Sequence, residues 1–333
     1  MPIAILNFPT DLIGDVFKLC NPFELYSMSK CSKKVQKIVK LGDTKKWKIS
    51  YWGWKEIIIN GDGSKYIFNP TEKPENYFKI DYSEKRMYIQ SPGDIDLFFY
   101  LIDTLAIRVV RTLGIQFGSF DNFLQIVKVL ISRNMEIERL WIGYMRNLQN
   151  LANFMLLMSQ MRITKEFKCL PMFPPDFQYQ FINYPSYIHI SYAFGFNVNQ
   201  LLNCPCTRIE LGDSGLSNRD LNVFFEKWKK AGTFPDLQWL EIKSRNIDNL
   251  STILDMVPPI TRTELPRQQV FIQFDENDNV IMDDGVRITK EDGREAWLKV
   301  ELGFIPKLQL LVYNPSNTWF EEVDDGQDFE DEE

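Results

Sequence analysis

Residues 6 to 42 carry apolar side chains at helical spacing in three runs, each too short to bury them against the others. That mismatch constrains the chain more than any other feature. Leu12, Ile13, Val16, Phe17 and Cys20 fall on one side of a first helix, with Thr10 or Asp11 placed to cap it. Asn21-Pro22 ends the run. Pro22 then suits the first turn of a second helix over 23–29, where its missing N–H would have had no partner. A third helix is expected over about 32–41, with Val35, Ile38 and Val39 on one side and Lys33, Lys34, Lys37 and Lys40 elsewhere on its circumference. Gly42 stops it. A three-helix unit of about 40 residues is at the lower limit for hiding a core of its own, so part of this apolar surface needs something else to cover it.

The rest of the 333 residues exceeds one ordinary domain of roughly 100–200 residues. A hydrophobic fraction of 44% over the whole sequence marks the protein as globular, since disordered chains lack the apolar surface to offset chain entropy. From 47 to 88 the pattern is of short β-rich runs, including 47–60 and 66–68, between Gly61-Asp62-Gly63, Asn69-Pro70 and Lys73-Pro74. Strand and helix then alternate. Helices are expected near 94–105, 120–132 and 147–160, and strands near 112–117 and 137–143. Beyond a Pro-rich loop at 171–185, strands at 187–192, 207–212 and 237–243 are each followed by a helical run, near 197–203, 218–231 and 247–256. Ser217 and Asp220 resemble a capping box ahead of Leu221, Phe224, Phe225 and Trp228.

Aligning Leu140, Ile209 and Leu240 shows a recurring strand-loop-helix unit at unequal intervals, which predicts an irregular leucine-rich-repeat-like array; a plain α/β sandwich is the alternative. After Pro258-Pro259, residues 270–274 and 280–282 read as paired strands, as do 286–288 and 296–302. This is a C-terminal antiparallel β element. The expected fold class is therefore α+β or α/β.

Several chemistries find no support. Nine acids and no base lie in Glu321 to Glu333, which accounts for the net charge of −7; the remainder is near neutral and the terminal run should stay solvated and flexible. Five cysteines, an odd number, do not form a disulfide framework and fit a reducing compartment, cytoplasmic or nuclear. The N-terminus lacks the basic region of a signal peptide, and 95–110, the most apolar stretch, contains Asp96, Asp103 and Arg108, so no membrane span is expected. Asp275 to Gly285 is no calcium loop, because Val280 and Val286 stand where Gly and Glu are needed. Cys204-Pro205-Cys206 lacks further zinc ligands. The single histidine, His189, lies on a strand face, and no phosphate-binding motif occurs, so neither enzyme nor cofactor is indicated. Residues 1 to 48 hold nine lysines against four acids but no arginine, and their aromatics sit at core spacing rather than as a stacking platform. Nucleic-acid binding is not expected.

The run from Phe8 to Val35 resembles an F-box nearly position by position. Phe8-Pro9 stands for its Leu-Pro, Asp11-Leu12-Ile13 for its acid and apolar doublet, Val16-Phe17 for Ile-Leu, and Asn21-Pro22 for Asp-Pro. Leu25, Ser29, Cys31-Ser32 and the basic pair Lys33-Lys34 follow in place, whereas Val35 replaces the usual Trp. Together with the ending Asp292-Gly293-Arg294-Glu295-Ala296-Trp297, the chain resembles the expanded nematode F-box families with a type 2 F-box-associated domain.

The resemblance implies an F-box at 1–45, a substrate-recognition domain at 46–310 and an acidic tail at 321–333. It implies docking on a Skp-type adaptor, and through it a cullin-RING scaffold, by Pro9, Leu12, Ile13, Val16, Phe17, Pro22 and Leu25. The chain would then be the non-catalytic substrate-recognition subunit of an SCF-type ubiquitin ligase. The alternative is a protein-interaction scaffold with no ligase link. The target is unreadable; Tyr144, Tyr192 and Phe196 are candidates only as aromatic loop residues.

Overall fold

The structure, a computed structural model, describes residues 9–41, 47–53, 56–90, 93–115, 120–143, 151–172, 179, 181, 183–263, 267–276 and 278–323. It is a mixed α+β fold in which N-terminal helices precede a large strand-rich sheet arrangement and a C-terminal antiparallel sheet. The chain divides into two compact units, residues 1–168 with 180–183, and 169–179 with 184–333.

The first unit opens with α1 (Thr10–Lys18), α2 (Pro22–Cys31) and α3 (Lys33–Ile38), the last running into a 3-10 turn at Val39–Leu41. Asn21 provides the punctuation. Its Oδ1 accepts from the N–H of Phe23 (2.9 Å) and Glu24 (3.1 Å), and Glu24 Oε2 accepts from the N–H of Asn21 (2.8 Å), a complete capping box with Pro22 in the first turn. Ser32 Oγ accepts from the N–H of Val35 to start α3. α1 begins differently from expectation: Pro9 is its cap residue, and neither Thr10 nor Asp11 makes a side-chain capping bond because both already lie inside the helix.

Five strands follow: β1 (Lys48–Tyr51), β2 (Ile57–Gly61), β3 (Ser64–Pro70), β4 (Ile80–Asp81) and β5 (Arg86–Ile89). Then come α4 (Asp94–Thr104), β6 (Val109–Ile115), α5 (Phe120–Ser132), β7 (Glu136–Ile142), α6 (Leu151–Met158) and β8 (Arg162–Cys169). The order across the sheet is β8-β7-β6-β1-β2-β3-β5-β4. β1, β6 and β7 are parallel, as helical crossovers demand, whereas β1-β2-β3 is an antiparallel meander. α5 buries Phe123, Ile126, Val127 and Leu130 at helical spacing, and β7 buries Ile137, Leu140 and Ile142. The start of the helix expected at 147, and the end of the strand expected to reach 117, lie outside the described residues.

The second unit has β9 (Tyr187–Ile190), α7 (Val198–Leu202), β10 (Arg208–Leu211), α8 (Asn218–Trp228) and β11 (Trp239–Lys243), with the three strands parallel. Ser217 and Asp220 form the expected box, and Leu221, Phe224, Phe225 and Trp228 are buried. Residues 247–256 do not form the helix expected of them. Instead, side chains of α8 hold this segment as turns: Asn218 Nδ2 donates to the carbonyls of Asp248 (3.0 Å) and Ser251 (2.8 Å), and Asn222 bonds the backbone of Thr252 and Leu254. Leu254 and Asp255 have positive φ, which a helix cannot accommodate.

The rest of the unit is β12 (Arg267–Asp275), β13 (Asp278–Asp283), β14 (Val286–Thr289), β15 (Glu295–Glu301), β16 (Lys307–Val312) and β17 (Thr318–Val323). β16, β15 and β14 extend the sheet beyond β11 with antiparallel pairing. β12 pairs with β13, as anticipated, and with β17 on its other side. One face of this three-stranded sheet covers Trp239, Trp297 and Leu311 with Val270, Ile272 and Met282. Residues 321–323, at the head of the acidic run, pair with 267–269 as part of β17; 324–333 lie outside the described residues.

Candidate docking site on the first helices

α1 presents two apolar sides. Ile13 and Phe17 point into the first unit and are buried, and Gly14 lets the 3-10 turn approach so closely that an added Cβ would meet the Leu41 carbonyl oxygen at 3.3 Å. Pro9, Leu12, Val16 and Leu19, spaced by three, four and three residues, form a separate stripe one helical step away. That stripe is open. Leu12 is 46% and Leu19 88% exposed, Pro9 is exposed and Val16 half-buried.

α2 has no such freedom. Phe23 meets the rings of Tyr66 and Phe68 edge-on at 5.3 and 5.1 Å, and Tyr26 meets Phe68 and Tyr100 at 5.4 and 5.8 Å. Burial pushes the Tyr26 hydroxyl pKa up. Ser29 Oγ lies 2.8 Å from the Tyr100 hydroxyl, and Lys30 Nζ stands 3.6 Å over the Tyr100 ring. Burying rings of this size contributes about 1.5–3 kcal/mol each. α2 is thereby fastened to β3 and α4.

Of the seven residues implied as adaptor contacts, the structure therefore leaves Pro9, Leu12 and part of Val16 available. Ile13, Phe17, Pro22 and Leu25 are buried, Leu25 completely. These four are therefore closed to a partner in this conformation. Leu19, which the sequence reading left out, completes the stripe; its i+3 spacing from Val16 was the available signal. Lys33, Lys34, Lys37 and Lys40 are exposed on α3 and its continuation.

The other chemically notable cluster lies on the second unit. His189 Nδ1 is 2.8 Å from Glu210 Oε2 on the neighbouring strand, and His189 Nε2 is 3.2 Å from Ser191 Oγ. Such a hydroxyl–imidazole–carboxylate order invites a nucleophilic reading. However, Tyr187 OH also donates to Glu210 Oε2 (2.8 Å), and Arg208 holds Oε1 while reaching Asp278 at 2.8 Å. Burial raises the Glu210 carboxyl, but His189, Arg208 and Tyr187 outweigh it and bring the pKa down to about 2. The backbone N–H groups of Ser191, Ala193 and Gly212 are all committed to carbonyls, leaving none of these three to stabilise an oxyanion. The cluster ties strands together.

Cys204 Sγ donates to Cys206 Sγ at 3.1 Å, both buried, and all five cysteines are free thiols. Among the described residues no group of three or more His, Cys, Asp or Glu is placed to hold a metal, and no helix is long and apolar enough to cross a membrane. Phe196 is buried beside Tyr179 and so is a core residue rather than an interface anchor. Tyr192 is half-buried, and Tyr144 lies outside the described residues.

Comparison with family models gives two matches: residues 5–47 fit the F-box domain, and residues 176–242 fit the domain described as F-box associated. Neither the curated proteins nor the solved structures contain a match.

Proposed function

From the premise that this chain is an F-box protein with an F-box-associated domain, we propose that it is the substrate-recognition subunit of an SCF-type ubiquitin ligase. In this reading a Skp-type adaptor covers the α1 stripe of Pro9, Leu12, Val16 and Leu19, and a cullin-RING scaffold joins through the adaptor. The residues beyond about 45 hold a target protein. The observation that carries the reading is Leu12 and Leu19 standing in solvent on a helix whose other apolar side is fully packed. The boundary near residue 45 is one of role, since α2 shares its core with the strands that follow.

The mechanism is templating. Holding the target beside a charged conjugating enzyme replaces a bimolecular encounter with a high effective concentration, and no residue of this chain needs to act on a bond. The free thiols fit a reducing cytoplasmic or nuclear setting. In the second unit, β9, β10 and β11 are parallel, with α7 and α8 between them in the chain, which supports the leucine-rich-repeat-like description at the level of the strand-helix unit.

The test is co-expression with a Skp-type adaptor. The intact chain should copurify with it, and Leu12→Asp with Leu19→Asp should abolish copurification while the chain stays folded by circular dichroism. Undiminished copurification of the double variant would reject the α1 stripe. No copurification of the intact chain would favour a scaffold outside any ligase.

A further inference from the structure

The three-stranded sheet β13-β12-β17 has a second face with exposed apolar side chains among the described residues. Side chains alternate along a strand, so with Val270, Ile272 and Met282 turned to the core, Phe271, Ile281 and the residues in register with them turn away from it. On that outer face, register places Ile281, Phe271 and Trp319 in one row across all three strands. Ile281 is 45% and Trp319 37% exposed, and the Phe271 and Trp319 rings stack at 5.2 Å with planes 7° apart. The next row on the same face is Asp283, Gln269 and Glu321, with both carboxylates exposed. Glu321 Oε1 accepts from Trp319 Nε1 at 3.1 Å, which fixes the indole beside the acid. Arg267 lies beyond this row, opposite Val323, where the chain continues into Asp324-Asp325 and the rest of the acidic run.

An apolar row beside an acidic row has a defined complement. Successive same-face residues of a strand are about 6.6–6.8 Å apart. An extended partner segment lying along the strands therefore sets an apolar side chain on the first row and, two residues away, a cation on the second. We propose that this face docks a basic segment of the target protein, one in which lysine or arginine stands two positions from a large apolar residue. The inference rests on the reading that the chain holds a target, and it names the chemistry of what is held. The ring pair supplies the anchor, and the carboxylates select against acidic segments.

The experiment uses the full chain and two labelled peptides, GKTFTKTFTKG and its counterpart GETFTETFTEG, followed by fluorescence anisotropy. The basic peptide should bind at least about tenfold more tightly than the acidic one. Ile281→Glu or Trp319→Ala should each weaken it about tenfold. Replacing both Asp283→Lys and Glu321→Lys should invert the preference. Copurification with a Skp-type adaptor should be unchanged in every variant, which separates failure here from failure of the ligase reading and confirms that the chain is folded.

The proposal is overturned if the intact chain does not prefer the basic peptide, or if the Ile281 and Trp319 variants bind as wild type. It is equally overturned if deleting 324–333 alone removes all binding, since the tail would then be the whole site. A dimer of the intact chain that dissociates in Trp319→Ala, without peptide binding, would instead assign the face to a second copy.

Discussion

α1 and α2 are short neighbouring helices, nine and ten residues long, yet their apolar side chains have opposite fates. Phe23, Leu25 and Tyr26 of α2 are buried, Phe23 and Tyr26 against rings of β3 and α4, whereas Leu12 and Leu19 of α1 remain in water. The difference is in what stands across from them: Tyr66, Phe68 and Tyr100 are brought to α2 from 42 to 74 residues further along the chain. Helical spacing identifies an apolar side. It does not say who will cover it.

The comparison breaks most readily at its sealed end. Leu25→Asp places a carboxylate where no water reaches and should cost about 4 kcal/mol or more in urea unfolding. If it were tolerated, α2 would not be the anchored helix. Phe17→Ala, on the inner side of α1, should cost about 3–4 kcal/mol through the cavity left behind, and should do so whether or not an adaptor is present. Tyr100→Phe removes only the hydroxyl that meets Ser29 and should cost about 1 kcal/mol, sharpening how much of the attachment is polar and how much is ring packing. Leu12→Asp should change stability by no more than about 0.5 kcal/mol while removing adaptor capture. A Leu12→Asp loss as large as that of Phe17→Ala would mean that the two sides of α1 do not differ.

Local signals were well written in the sequence. Asn21-Pro22, Ser32 and Ser217 each cap a helix through atoms within three residues, and the helix at 120–132 is found with the bounds its periodicity predicts. The strand pair across 275–279 was equally legible. Non-local events were not. Residues 247–256 have helical spacing but lose the helix to the amides of Asn218 and Asn222, about 30 residues away. β17 joins β12 across more than 40 residues, and nothing in either strand names the other. For the same reason the seven positions that resemble an F-box could be recognised as a set without showing which are buried and which are surface, since burial is settled by packing that helical spacing does not encode.

The anchoring of α2 has a mechanical consequence. Because Phe23 and Tyr26 lie against rings of β3 and α4, α2 cannot tilt without parting those rings. Whatever turns α2 therefore turns those strands with it, as a hand on a welded handle sets the angle of the blade.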